Sequence, residues 1–390
     1  MADIFTLIQV KDSQSAKEFL HLPLQIYHGN PNWIRPLDKD ILQVFDPKIN
    51  KAFRHGEAIR WILKDETGKT IGRVAAFVNK RYKTKGDEVP VGGMGFFECI
   101  HNQQAANQLF DACKQWLTEK GMGAMDGPIN FGERDRWWGL LVEGFHQPLY
   151  CMNYNPPYYR ELFENYGFQL FFNQSCYALR VKDRLQQKFY TRHAELVRDP
   201  DYKAIHIQKG NLEKFARDFT TVYNKAWAGH GGLKQMEERT VIKMFESMKP
   251  VMDEQISWFT YYKGEPIAVW LNIVDLNQWF KYLNGRFDWW GKLKFLWIKQ
   301  TKSNKKFNGL IFGIIPEFQG KGVDAFMIME AAKLIQNKLH YEDYELQWIG
   351  DFNPKMINIA LSLGTSVSRR LITYRYNFDR SKPFLRHPIL

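Results

Sequence analysis

Two segments in opposite halves of the chain carry the same punctuation. NPPYYRELFENYGF (155–168) opens on Asn-Pro and stops at Gly167, and NPKMINIALSLG (353–364) opens on Asn-Pro and stops at Gly364. Asparagine can accept a hydrogen bond from the free N–H groups that open a helix. Proline suits the first helical position, and glycine takes the left-handed conformation past the last. The same short helix placed once per half constrains the chain to two copies of one topology.

Hydrophobic periodicity extends the correspondence. In the first half it predicts a strand at 4–10, a helix at 13–27 entered through Asp12 or Ser13, and a hairpin of 58–63 with 70–77. A strand at 95–100, a helix at 103–119, the helix at 156–166 and a strand at 170–181 follow. The stretch 127–147, rich in glycine and charge, reads as irregular. The second half predicts a strand at 204–208, a helix at 212–227 and a hairpin of 256–262 with 265–273. Then come a strand at 309–315, helix 325–339, strand 345–349, helix 354–363 and strand 371–378. The expected fold class is α/β, with a mixed central sheet flanked by helices in each half. The expected organisation is a first domain at 1–181, a charged helical connector at 182–203 and a second domain at 204–390.

Composition excludes several classes. Thirteen Trp, 18 Tyr and 29 Phe among 390 residues supply too much apolar surface for a disordered chain. No run approaches the ~18 apolar residues of a spanning helix, and MADIFTLIQVKD lacks the marks of a signal peptide. These features predict a cytoplasmic protein without stable membrane insertion. Cys99, Cys113, Cys151 and Cys176 have no C-x-x-C spacing and read as reduced thiols, and no residue set has metal-ligand spacing. The net charge of +12 favours an anionic partner or a phosphorylated cofactor. No recognition-helix or RNA-binding signature is present, so nucleic acid is not expected. Oligomeric state is not readable.

The most specific string is IIPEFQGKGVDAFMIMEAAKLI (314–335). An apolar strand stops at Pro316, and the turn Gln319-Gly320-Lys321-Gly322 leads directly into a helix. N–H groups at a helix start are unpaired, and the helix dipole adds positive charge there. Glycine lets a phosphate approach the main chain, so strand, turn and helix form a pyrophosphate cradle.

This string resembles the coenzyme A turn of the GNAT acyltransferase superfamily, Q/R-x-x-G-x-G/A. Gln319 and Gly322 match, and Asp324 stands where the superfamily has Gly or Ala. The strand, Asn-led helix and closing glycine that follow fit as well. PNWIRPL, GRVAAFVN and MNYNPPYYRELFENYGF also resemble uncharacterised bacterial tandem GNAT-like proteins of this length. The resemblance implies two GNAT-like domains. The second would hold acetyl-CoA or another acyl-CoA on Gln319, Gly320, Lys321, Gly322 and Val323. The first is degenerate, because only His101-Asn102 separates its strand from its helix. The implied activity is acyl transfer from coenzyme A to a small-molecule or peptide amine. The superfamily's tyrosine acid falls at Phe163 and Ala360, which carry no proton. A non-catalytic ligand- or peptide-binding protein on the same fold is therefore the alternative.

Candidate bases are Glu237, beside Glu238, and Asp351, just before Asn353. His230 lies in a glycine-rich loop at 229–232. Glu133, Arg134 and Arg136 precede Trp137 and Trp138 and suggest a substrate pocket. One further stretch, FDWWGKLKFLWIKQTKSNKK (287–306), interleaves aromatics with lysine. Leu293, Leu296 and Trp297 share a helix face, with Lys292, Lys299 and Lys302 outside it. Burial of that face against the second sheet is expected over contact with an anionic bilayer.

Overall fold

The computed structural model describes residues 4–227 and 235–389, so His230 lies outside the described residues. Strands β1 (Thr6–Gln9), β2 (Gly56–Lys64), β3 (Thr70–Asn79) and β4 (Val91–Cys99) pair antiparallel in chain order. Strand β5 (Ala124–Gly127) then joins β4 in parallel. A short β6 (Leu140–Glu143) and a long β7 (Gln169–Arg180) complete the first half. The second half repeats the pattern. Strands β8 (Tyr202–His206), β9 (Trp258–Tyr262), β10 (Glu265–Val274) and β11 (Lys306–Ile314) pair antiparallel, and β12 (Asp343–Gly350) joins β11 in parallel. Strand β13 (Ser366–Asn377) ends the fold.

Helices fall at matching points. Helices α1 (Ser13–Ile26) and α2 (Asp38–Val44) lie between β1 and β2, α3 (Gln103–Glu119) between β4 and β5, and α4 (Tyr159–Tyr166) before β7. Helix α5 (Gln187–Leu196) occupies the connector. Helices α6 (Leu212–Ala226) and α7 (Glu238–Met248) lie between β8 and β9, with α8 (Asn277–Phe280) and α9 (Trp289–Thr301) between β10 and β11. Helix α10 (Val323–Lys338) links β11 to β12, and α11 (Pro354–Ser362) precedes β13. Helix α3 buries the predicted stripe of Ala106, Leu109, Phe110, Cys113 and Leu117, while Trp116 is half-buried. Each large side chain so buried contributes about 1.5–3 kcal/mol.

The two halves exchange their last strands. Strand β7 pairs with β12, β13 pairs with β5, and β7 and β13 pair with each other, all antiparallel. The two mixed sheets thus join edge to edge in the order β1-β2-β3-β4-β5-β13-β7-β12-β11-β10-β9-β8, with β6 beside β13. The exchange covers the inner edges of β5 and β12, whose backbone groups would otherwise be left unpaired.

Three local expectations need correction. The stretch 127–147 contains β6. The helix expected from 156 begins at Tyr159, because Asn155 does not cap it. Its side chain instead accepts from the Leu141 N–H at 2.8 Å and donates to the Leu141 carbonyl at 3.0 Å. Its counterpart Asn353 does cap, accepting from Met356 N at 3.2 Å. The face of α9 expected to be buried is open: Leu293, Leu296 and Trp297 are 43%, 56% and 59% exposed. The inward stripe is Gly291, Phe295 and Ile298, with Phe295 packed against Trp279, Phe280 and Phe287. One stripe suffices to seat a helix on the protein.

Candidate active site

Parallel pairing of β11 with β12 runs from Lys306–Asp343 to Gly309–Leu346 and stops. Both strands continue, so they diverge. The cause is a bulge: in the ladder with β10, Leu271 faces Ile311 and Asn272 faces Gly309, leaving Leu310 as an extra residue that bends β11 away. The resulting cleft holds about 300 Å³ and is lined by Gly309, Phe312, Leu346, Trp348, Asn353 and Met356 among others. Any Cβ at Gly309 would collide with the Tyr344 hydroxyl, so glycine keeps the strand close to the cleft floor.

The glycine turn lies just past the end of β11. Gly320 and Gly322 have φ of +75° and +82°, which L side chains rarely adopt. Gly322 is the N-cap of α10, no side chain caps that helix, and no atom approaches within 4 Å of a Cβ built on Gly320. No side chain therefore caps the first-turn N–H groups, while Gly322 and Val323 themselves are buried, with Arg192 and Leu196 of α5 beside Gly322. Lys321 is exposed and Asp324 half-buried in the first turn. The side chain of Gln319 does not point at a ligand: its amide donates to the Ile314 carbonyl at 3.0 Å. The turn carries one exposed cation, Lys321, and two carboxylates, Glu317 and Asp324.

The predicted base and pocket residues are dispersed. Asp351 follows the cleft strand β12 and accepts from Asn173 Nδ2 at 2.9 Å and from Arg386 at 2.6 Å. Glu237 is exposed at the start of α7 and is not among the residues lining the cleft. Glu238 pairs with Arg217. Glu133 and Arg136, 3.5 Å apart, line a cavity of about 380 Å³ with Asp40 and Asn50. The Arg134 guanidinium lies over Trp138 at 5.3 Å. Trp137 is buried elsewhere, at the wall of a different cavity.

That different cavity was not found from sequence. It occupies the first half where β4 continues past β5, holds about 70 Å³, and is lined by Trp33, Ile34, Phe97, Trp137, Tyr154 and Glu98 among others. A bulge at Phe96, with φ +52°, matches the one at Leu310. Beside it, Ile129 donates its N–H to the Met94 carbonyl at 2.8 Å and its chain runs against Gly95, so the backbone continues alongside β4 past the end of the β4–β5 pairing. Glu98 Oε2 accepts from the hydroxyls of Tyr27 and Tyr159, both at 2.8 Å, and Arg73 lies 3.4 Å from Oε1. Burial pushes the Glu98 carboxyl above its ordinary value, against the opposing pull of Arg73. Arg73 Nε and Trp137 Nε1 are buried donors with no hydrogen-bond partner among the described residues. A carboxylate in a buried strand gives no sequence signal of this kind, since its partners come from residues 27, 73 and 159.

A parallel pair splayed at a bulge, a glycine turn opening the next helix in the second half, and the same order of strands and helices in both halves together define the tandem GNAT fold. Solved structures agree. A tandem GNAT protein from the clavulanic acid biosynthesis pathway is similar over 97% of this chain and 100% of its own, with TM-score 0.54 and 9% identity. A GCN5-related glucosamine N-acetyltransferase region of a fungal multi-domain GH3 β-N-acetylglucosaminidase matches 96% of this chain and 38% of that one, with TM-score 0.55 and 11% identity. At the sequence level the chain is 26% identical over 365 residues to the bacterial ceramide synthase of Caulobacter vibrioides (strain NA1000 / CB15N), covering 92% of this chain and 94% of that protein. It is 22% identical over 365 residues to Protein YghO of Escherichia coli (strain K12), covering 92% of each. No protein-family profile matches.

Proposed function

We propose that this chain is an N-acyltransferase that moves a fatty acyl group from coenzyme A to the primary amine of a long-chain amino alcohol. The observation that carries the acyl-donor half is the parting of β11 from β12 beside the left-handed Gly320–Gly322 turn. The acceptor class rests on the similarity to a ceramide synthase along nearly the whole chain, ceramides being amides of such bases. The units that carry the reaction are 1–181 and 204–390, joined through 182–203, each completed by the other's last strand.

In this reading the amides of Gly320, Gly322 and Val323 hold the pyrophosphate, Lys321, whose own N–H donates to the Phe318 carbonyl at 3.4 Å, adds its side-chain charge, and the donor supplies an activated acyl thioester. The N–C bond forms, the C–S bond breaks, the amine loses a proton and the thiolate gains one. Trp270 and Tyr344, joined by an indole-to-hydroxyl hydrogen bond of 3.0 Å, line both the cleft and an apolar crevice that includes Leu179, Ile328 and Ile335. They are placed to limit acyl length. The cavity over Glu98 offers an apolar wall, two unpaired donors and one buried carboxylate to an amine bearing hydroxyls. Glu237 and Asp351 remain candidate bases from the second half.

Phe163 and Ala360, both buried and both without a proton to give, support a second reading in which the fold binds acyl-CoA or a peptide without turnover. Incubation with palmitoyl-CoA and a long-chain amino alcohol separates the two. Stoichiometric thiol release with an amide product is expected. Thermal stabilisation by palmitoyl-CoA without amide would establish the binding reading, and neither effect would overturn both.

A further inference from the structure

Helix α9 is apolar on two sides. At about 100° per residue, Gly291, Phe295 and Ile298 form the stripe that seats it on the protein. On the opposite side Trp289, Leu293, Leu296, Trp297 and Trp290 span an arc of roughly 120°. These five are 64%, 43%, 56%, 59% and 73% exposed, and Gln300 in the last turn is the one polar residue among them. Lys292 and Lys299 border one edge of the arc and Lys294 the other. From 289 to 302 there are four lysines and no acidic residue. Nothing among the described residues covers the arc. The unit repeat does not require it either, because the corresponding link between β3 and β4 in the first half holds no helix.

We propose that α9 docks the protein flat on an anionic lipid bilayer. Three exposed indoles and two leucines in a shallow band, edged by lysines, match the boundary between acyl chains and anionic headgroups. Lys292 and Lys294, both exposed, can lay their stems along the band and reach the phosphates, whereas Lys299 donates to the Pro250 carbonyl. A second protein would meet the same lysines with acidic side chains. A bilayer meets both the apolar arc and the positive rim with one partner. The loop that enters α9 joins the α2 segment, which borders the Glu98 cavity. Asp38 N–H donates to the Gly285 carbonyl at 2.8 Å, Lys39 lies over Phe287 at 4.1 Å, and the neighbouring Ile34 and Ile41 line that cavity. Docking would hold the cavity close to the membrane surface. The inference goes beyond the acyl-transfer reading, since docking requires no turnover.

The test is co-flotation of the full chain with vesicles of phosphatidylcholine alone or mixed with phosphatidylglycerol. Flotation is expected with the anionic vesicles, falling with salt, and weak with the neutral ones. Trp289→Ala with Trp290→Ala and Trp297→Ala should abolish it, and each of Lys292→Ala and Lys294→Ala should weaken it about five-fold. All these side chains are exposed, so melting temperature should be unchanged and serves as the folding control. Equal flotation of the triple variant, or none by the wild type at low salt, would overturn the proposal. So would a wild-type dimer that the triple variant loses while neither binds vesicles.

Discussion

Arg369 on β13 reaches across the intervening β7 to pair with Glu345 on β12. Arg369 Nε and a terminal nitrogen donate to the two carboxylate oxygens at 2.8 and 3.2 Å, with both side chains essentially unexposed. The same guanidinium donates to His146 Nδ1 at 2.8 Å and to the Gln147 carbonyl at 3.0 Å, while Lys306 and Ser368 also bond Glu345. Residues from both halves meet in this network at the strand exchange. Taking these charges out of water is costly, and the cost is offset only while every partner is present.

Breaking the pair from one side should therefore destabilise strongly. Arg369→Met leaves Glu345 buried and is expected to cost about 3–5 kcal/mol in urea unfolding. Arg369→Met combined with Glu345→Leu should cost clearly less than the sum of the two single changes. Simple additivity would mean that the two residues do not act as a unit.

The same network makes stability depend on pH. Burial alone would raise the Glu345 carboxyl, but the Arg369 and Lys306 charges overturn that and hold it at about 2, against an ordinary 4.5. The folded value lies below the unfolded one. Its contribution is therefore complete above about pH 4.5 and is lost as pH falls towards 2. Thermal melts across that window should show the wild type falling and Glu345→Gln falling less.

At the glycine turn, a side chain on residue 322 must adopt φ of +82° and brings its Cβ within 3.4 Å of Arg192 Cβ and Leu196 Cδ1. Gly322→Val is expected to weaken acyl-CoA binding at least tenfold by calorimetry, through a displaced turn. Asp324→Asn removes a negative charge from the first turn of α10 and, if pyrophosphate binds there, should tighten binding several-fold. Equal affinity in Asp324→Asn and wild type would mean that the carboxylate turns away.

Glu98→Gln keeps shape and removes the buried charge. If this carboxylate takes the amine proton, turnover should drop about 100-fold with acyl-CoA affinity unchanged. In the wild type the pH profile should then rise through a value above the ordinary carboxylate range, since burial lifts Glu98. A fall in melting temperature with unchanged turnover would assign Glu98 to stability alone.

Trp270→Ala removes the indole shared by the cleft and the apolar crevice. The expected outcome is a preference shifted towards longer acyl chains in competition assays. An unchanged profile would place the acyl chain elsewhere.

What the sequence determined by itself was local. Residues 103–119 carry a 3.6-residue apolar period, and helix α3 covers Gln103–Glu119. The turn expected at 319–322 leads into helix α10, with Gly320 and Gly322 in left-handed backbone. The repeated order of strands and helices in the two halves followed from the same short-range patterns. Tertiary structure decided which strands are neighbours. Alternation tells a strand which face is buried but not which edge it joins, so the crossing of β7 to β12 and of β13 to β5 left no mark in the chain. Asn155 and Asn353 show the same limit: each is a sound cap by type, yet the nearness of Leu141 claims the first. The Glu98 cluster and the Glu345–Arg369 pair lie further beyond reach. A carboxylate's environment is set by groups brought to it through folding, and those groups stand up to 71 residues away for Glu98. On α9 the apolar positions were visible in the sequence. Which of its two apolar sides meets the protein was settled only by the packing of Phe295 and Ile298.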